Sequence, residues 1–128
     1  MKLLLDTHAL LWWTSEPRRL SAAASAALSA SENDVLVSVV TPWEVQIKIR
    51  TGKLTLPHPI REIIHDLRRF NRLRVLSVRL RHVYTLDGLP DHHRDPFDRM
   101  LVAQATCDGL TLVTCDPQIV RYPVATLW

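Results

Sequence analysis

Apolar residues cluster along the chain in two patterns. Short runs with little polar alternation occur at "KLLLD" (2–6), "VLVSVV" (35–40), "RVLSV" (74–78) and "LTLVTCD" (110–116). Such runs mark strands buried on both faces. "VATLW" (124–128) reads as a short fifth strand. The segments between them carry helical spacing. "HALLWW" follows the first run as a helix, and Pro17 breaks it. Ser21 caps the alanine-rich stretch 22–31. Ile60, Ile63, Ile64, Leu67 and Phe70 form one apolar stripe in "PIREIIHDLRRF". Residues 79–87 read as a short helix closed by Gly88.

Two helix starts share one grammar. Thr41 as N-cap, Pro42 at N1 and Glu44 at N3 spell a capping box, and Gly52 ends that helix. Asp95, Pro96 and Asp98 repeat the pattern before a helix that runs to Gly109. Strands alternating with helices imply parallel pairing with helices on both faces. The predicted fold is α/β: a three-layer α/β/α sandwich around a mostly parallel sheet of four to five strands. Residues 1–128 are expected to form one domain. Sites in such folds lie beyond the carboxyl ends of the strands.

Composition narrows the class. Hydrophobic residues make up 47% and charged residues 23%, a globular balance. A net charge of +3 permits a polyanionic partner without requiring one. Cys107 and Cys115 fit no zinc spacing and make no disulfide framework, so both read as reduced thiols in a cytoplasmic protein. Asp6 and His8 interrupt the first apolar run, which makes it a poor signal peptide. No apolar stretch approaches a membrane span, so no membrane partner is expected.

Four acids stand at element ends. Asp6 and Asp116 end strands, and Glu44 and Asp98 begin helices. In a doubly wound parallel sheet all four ends lie at the carboxyl edge. Carboxylates gathered there repel one another and need a cation. An all-oxygen set favours Mg²⁺, with Mn²⁺ as substitute. Such a site suits phosphodiester hydrolysis. Glu44 and Asp98 also fit a plainer role as helix caps. An acid after a buried run, as at Asp6 and Asp116, is harder to explain that way.

"LLLDTHALLWW", "TPWEVQIKIRTGKL", "HRDPFDRMLVAQA", "LVTCD" and "YPVATLW" resemble, in order and over nearly the whole chain, the PIN-domain ribonucleases. The nearer likeness is to VapC-type toxins of toxin–antitoxin pairs. The resemblance implies a Mg²⁺-dependent endoribonuclease cutting structured RNA, transfer or ribosomal. It also implies a homodimer held in check by a cognate VapB-type antitoxin. The family's acidic quartet falls on Asp6, Glu44, Asp98 and Asp116. Asp95 reads first as an N-cap and second as an auxiliary to the site. Thr114 matches the family and stands ready to orient a water or an acid, or else to bond local backbone. Cys115 departs from the pattern, since many relatives carry arginine there.

Several other residues are candidates for RNA contact. His92 and His93 read as loop residues touching RNA or solvent, with no cysteine set to make zinc ligands of them. Arg68 and Arg69 lead the arginine-dense stretch as phosphate contacts, against the reading of a solvated helix face. Lys48, one turn after Glu44, either pairs with that acid or reaches a phosphate. The four tryptophans default to core. The rival readings are a degenerate, non-catalytic PIN-like RNA-binding or regulatory domain and an aspartyl-phosphate phosphatase. The phosphatase normally carries a second acid where this chain has His8.

Overall fold

A computed structural model describes Met1–Trp128. Its strands are β1 (Lys2–Leu5), β2 (Asp34–Ser38), β3 (Arg74–Leu76), β4 (Thr111–Val113) and β5 (Thr126–Leu127). Its helices are α1 (Thr7–Ser15), α2 (Ala22–Ser29), α3 (Val40–Arg50), α4 (Ile60–Phe70), α5 (Leu80–Asp87), α6 (Pro96–Asp108) and α7 (Pro117–Val120). The five strands form one sheet in the order β3-β2-β1-β4-β5. Every neighbouring pair is parallel. The three-layer α/β/α expectation stands.

β1 is the centre of the sheet, and Leu3, Leu4 and Leu5 are fully buried. Successive side chains point to opposite faces. Leu3 and Leu5 therefore pack with Leu10, Ala24, Leu28 and Leu67 of α1, α2 and α4. Leu4 packs with Leu101, Val102 and Ile119 of α6 and α7 on the other face. Each fully buried leucine contributes about 1.5–3 kcal/mol relative to exposure. This explains why the run shows no polar alternation.

The structure departs from the periodic reading in three places. β2 stops at Ser38, and Val40 begins α3 with its side chain in the second core cluster. Thr41 is thus inside the helix, not its cap, and its buried hydroxyl has no hydrogen-bond partner. Ser38 takes over locally, its hydroxyl accepting the Val40 N–H at 3.2 Å. Phe70 leaves the α4 stripe and is 71% exposed, while Ile60 and Leu67 are buried. Trp43 leaves the core altogether at 58% exposure.

Gly109 closes α6 with φ +66°, a left-handed conformation that glycine adopts without strain. On the same helix, Asp108 ties α5 to α6. It accepts from both Arg81 Nε at 2.9 Å and Nη2 at 3.2 Å. It also meets Nε2 of the fully buried His82 at 2.9 Å. His82 Nδ1 accepts the Arg79 N–H, so Nε2 carries the proton and donates it to Asp108. The ring therefore offers no lone pair to a metal, although Cys107 and Asp108 lie close by. Arg81 hydrogen bonding, acting against burial, and His82 hold the Asp108 carboxyl down at about 2.

A depressed carboxylate stabilises the fold above its unfolded pKa, and that stabilisation is lost as pH falls through the folded value. The Asp108 contribution should therefore be complete near neutrality and vanish between about pH 4 and pH 2. Asp108→Ala, which strands the buried His82 N–H, should cost on the order of 2 kcal/mol in urea unfolding at pH 7.

Candidate active site

The carboxyl edge of the sheet gathers acids from four elements. Asp6 follows β1 and is buried. Its Oδ1 accepts the Ala9 N–H at 2.7 Å, capping α1. Its Oδ2 accepts the Thr114 hydroxyl at 2.6 Å. Asp116 follows β4 and caps α7, with Oδ1 accepting the Gln118 N–H at 2.8 Å. Thr114 links these two acids, because its hydroxyl oxygen also accepts the Asp116 N–H at 3.1 Å. The β1–β4 pairing brings the two strand ends side by side.

Glu44 and Asp98 come from the helices. Glu44 is buried and lies deeper in α3 than the N3 position of a capping box. Its Oε1 accepts the Thr7 hydroxyl at 2.7 Å, and its Oε2 meets Lys48 Nζ at 2.5 Å. Burial pushes Lys48 the other way, but the hydrogen bond and charge of Glu44 raise its pKa. Lys48 thus partners an acid in the site. Asp95 caps α6 through Oδ1, which accepts from Phe97 N at 2.8 Å and Asp98 N at 3.2 Å. Asp98 itself caps nothing, and its carboxylate is aimed into the cluster.

The capping roles are therefore exchanged relative to the sequence reading. Glu44 and Asp98, the two acids that fitted caps, are not caps. Asp6 and Asp116, which resisted that explanation, are. Each uses one oxygen for a helix N-terminus and turns the other inward.

His93 enters the cluster, a placement its loop position did not signal. Nε2 lies 2.9 Å from Asp98 Oδ2 and 3.4 Å from Asp116 Oδ2. Nδ1 accepts the Asp95 N–H at 3.2 Å, which leaves the proton on Nε2, where it is shared between the two carboxylates. The loop is pinned by Tyr122, whose hydroxyl accepts the His93 N–H at 2.9 Å and the Arg99 guanidinium at 2.9 Å. His92 instead packs edge-on against Tyr122, with ring centres 5.1 Å apart. Arg68 and Arg69 lie outside the cluster and line a cleft between α3 and α4 with Pro42 and Gln46. Cys115 is an exposed free thiol held protonated, its pKa raised by burial and by Asp6.

Crowding sets the electrostatics. Burial raises the Asp6 pKa, against the hydrogen bonds from Thr114 and Ala9. Burial, Asp95, Glu44 and Asp116 push Asp98 up to about 7, against the pull of His93. An acid that resists ionisation because other acids surround it is a group that a cation would satisfy. His93, Asp98 and Asp116 present donor atoms within 4.8 Å of one another. The predominance of carboxylate oxygens fits a hard divalent cation.

A carboxyl whose folded pKa is raised makes the fold less stable as it ionises. The metal-free protein should therefore lose stability as pH climbs from about 4 to about 7. Asp98→Asn should flatten that decline. Thermal melts in EDTA across this range test it, and equal slopes for both proteins would refute the assignment of the repulsion to Asp98.

The fold has counterparts among known proteins. The PIN domain family model matches residues 3–125. The chain is 30% identical to Ribonuclease VapC22 of Mycobacterium tuberculosis (strain ATCC 25618 / H37Rv) over 129 aligned positions, covering 98% of this chain and 97% of that protein. Among solved structures it resembles VapBC2 from Rickettsia felis bound to a DNA fragment from the promoter, with a TM-score of 0.76 and 15% identity. That match covers 99% of this chain and 98% of the other. It also resembles VapBC-1 from nontypeable Haemophilus influenzae, at a TM-score of 0.64 and 18% identity over 99% and 97% of the two chains. The likeness to the solved structures is one of fold, whereas the family model spans the strand ends and helix starts that carry all four acids, and this chain belongs to the PIN-domain family.

Proposed function

We propose that the chain is a metal-dependent endoribonuclease acting as the toxin of a toxin–antitoxin pair. Its substrate is structured RNA of the transfer or ribosomal class, cut in the cytoplasm by residues 1–128 acting as one nuclease domain. The observation that carries this reading is the convergence of Asp6, Glu44, Asp98 and Asp116 at one edge of the parallel sheet. A degenerate binding module has no use for four mutually repelling acids.

Asp6, Glu44, Asp98 and Asp116 would hold Mg²⁺, or Mn²⁺ in its place. That ion would supply Lewis acidity at the phosphate and lower the pKa of water. The chain supplies the rest. Thr114 and the Ala9 N–H fix the rotamer of Asp6, and Thr7 with Lys48 fixes that of Glu44. Such supports are worth about 10–100-fold in metal affinity or activity. Asp95 positions Asp98 by holding the first turn of α6. His93 carries a proton on Nε2 at the mouth of the cluster and can donate it in a hydrogen bond to a phosphate oxygen.

The partner side of the proposal follows the relatives. Two of the similar structures are VapBC assemblies, so the expected partner is a VapB-type antitoxin; a homodimeric toxin is expected from the family resemblance alone. Incubating purified protein with total cellular RNA tests the activity. Discrete fragments should form with Mg²⁺ or Mn²⁺ and none with EDTA. Asp98→Asn, folded by circular dichroism, should lose at least about a hundredfold in rate. Equal cutting by the variant, or cutting in EDTA, would refute the metal-site assignment.

A further inference from the structure

His93 reaches the acid cluster from residues 88–95, the irregular stretch between α5 and α6. Such a stretch keeps a side chain in one place only where something fixes its backbone. Two side chains do so. Tyr122 is 3% exposed and belongs to the core cluster of Leu4, Leu101 and Ile119. Its hydroxyl is a fixed point, and it accepts the His93 N–H at 2.9 Å. Arg99 Nη1 donates to the same oxygen at 2.9 Å and to the Pro90 carbonyl at 2.8 Å. Its Nη2 donates to the Leu86 carbonyl at 3.4 Å. One planar guanidinium thus ties the last turn of α5, the loop and a core hydroxyl together. The two lone pairs of that hydroxyl are both engaged.

The origin of the two side chains matters as much as their bonds. Arg99 directly follows Asp98 on α6, and Tyr122 lies just beyond α7, whose N-cap is Asp116. Asp98 and Asp116 are the acids that His93 Nε2 approaches, at 2.9 and 3.4 Å. Each helix that brings an acid to the histidine therefore also leads to a group that holds the histidine's loop. The ring is fixed separately, because Nδ1 accepts the Asp95 N–H at 3.2 Å.

We propose that Tyr122 and Arg99 are positioning residues of the nuclease site, acting through His93: they hold its backbone so that Nε2–H is presented beside Asp98 and Asp116 to a phosphate oxygen of the substrate. The proposal rests on the ribonuclease reading and deepens it. A displacement of about 1 Å in such a donor can cost roughly a hundredfold in rate. A donor aimed at charge that builds up in the transition state affects kcat more than KM. Tyr122→Phe keeps the buried ring and removes only the oxygen, so it releases the loop while leaving the core filled. The loss should reach the reaction by way of His93 and by no other route.

The test is a double-mutant cycle on RNA cleavage in Mg²⁺, with wild type, Tyr122→Phe, His93→Ala and the double variant. Tyr122→Phe should lower kcat by about ten- to a hundredfold and leave KM within about twofold. On the His93→Ala background the same change should cost less than about twofold, because the group it positions is gone. Arg99→Lys keeps a cation but cannot span Leu86, Pro90 and Tyr122; it should show the same dependence on His93 and serves in place of Tyr122→Phe if that variant does not fold. A second readout needs no turnover. In imidazole ¹⁵N spectra recorded in EDTA, wild-type His93 should show a slowly exchanging proton on Nε2, assigned by its loss in His93→Ala. Tyr122→Phe, or Arg99→Lys in its place, should lose that signal to exchange with water. An equal loss of kcat on both backgrounds would mean that Tyr122 serves only the fold, and the proposal would be overturned. It is overturned equally if Tyr122→Phe cuts RNA like wild type, or if the His93 signal survives in the variant. A wild type that cuts no RNA would overturn the ribonuclease reading, and the imidazole signal would then decide the positioning of His93 by itself.

Discussion

All-parallel pairing around β1 is the constraint on which the rest depends. A parallel strand has to be followed by a crossover, and in this sheet each crossover begins at the same edge. Helix N-termini and strand ends are thereby collected in one place, whatever residues they carry. Because β1 is buried on both faces and lies between β2 and β4, the residue after it is committed to the middle of that edge. That residue is Asp6. Asp116 follows the adjacent β4, so the two acids are neighbours in space although they are far apart in sequence.

Gathering carboxylates is unfavourable, and the fold offsets the cost with groups already present at such an edge. Helix N-termini have N–H donors without partners. Asp6, Asp95 and Asp116 each satisfy some of these. Hydroxyls do the same for the inward oxygens, with Thr114 on Asp6 and Thr7 on Glu44. Lys48 answers the charge of Glu44. Asp98 receives the least help, and its pKa is displaced upward to about 7. An acid left in this condition is one that a nearby cation would satisfy. The Nε2–H of His93, between Asp98 and Asp116, is placed to bridge two of the acids.

The layered fold, the buried strands and the placement of four acids at the carboxyl edge of the sheet were legible because they depend on local patterns. A run of leucines with no polar break can only be a strand buried on both faces or a core helix segment, and the short spacing to the next helix start settles it. The helix starts were less legible. The Thr41–Pro42–Glu44 pattern satisfies every local rule for a capping box, yet α3 begins earlier because Val40 is drawn into the core beneath it. Burying that side chain outweighs a cap worth about 1 kcal/mol. Phe70 and Trp43 failed the periodic reading for a related reason. Spacing says which side of a helix a residue occupies, not whether another element covers that side.

What the sequence determined by itself was the alternation of strand and helix, the acid at each critical end, and the family motifs that join them. Those features act through nearest neighbours along the chain, where period and capping chemistry decide the outcome. Only the tertiary structure decided which acids cap and which face the cluster, that His93 rather than His92 enters it, that Thr7 and Thr114 hold its carboxylates, and that Trp43 stands open beside it. Each of these depends on contacts between residues that only the closed parallel sheet brings within hydrogen-bonding or van der Waals distance.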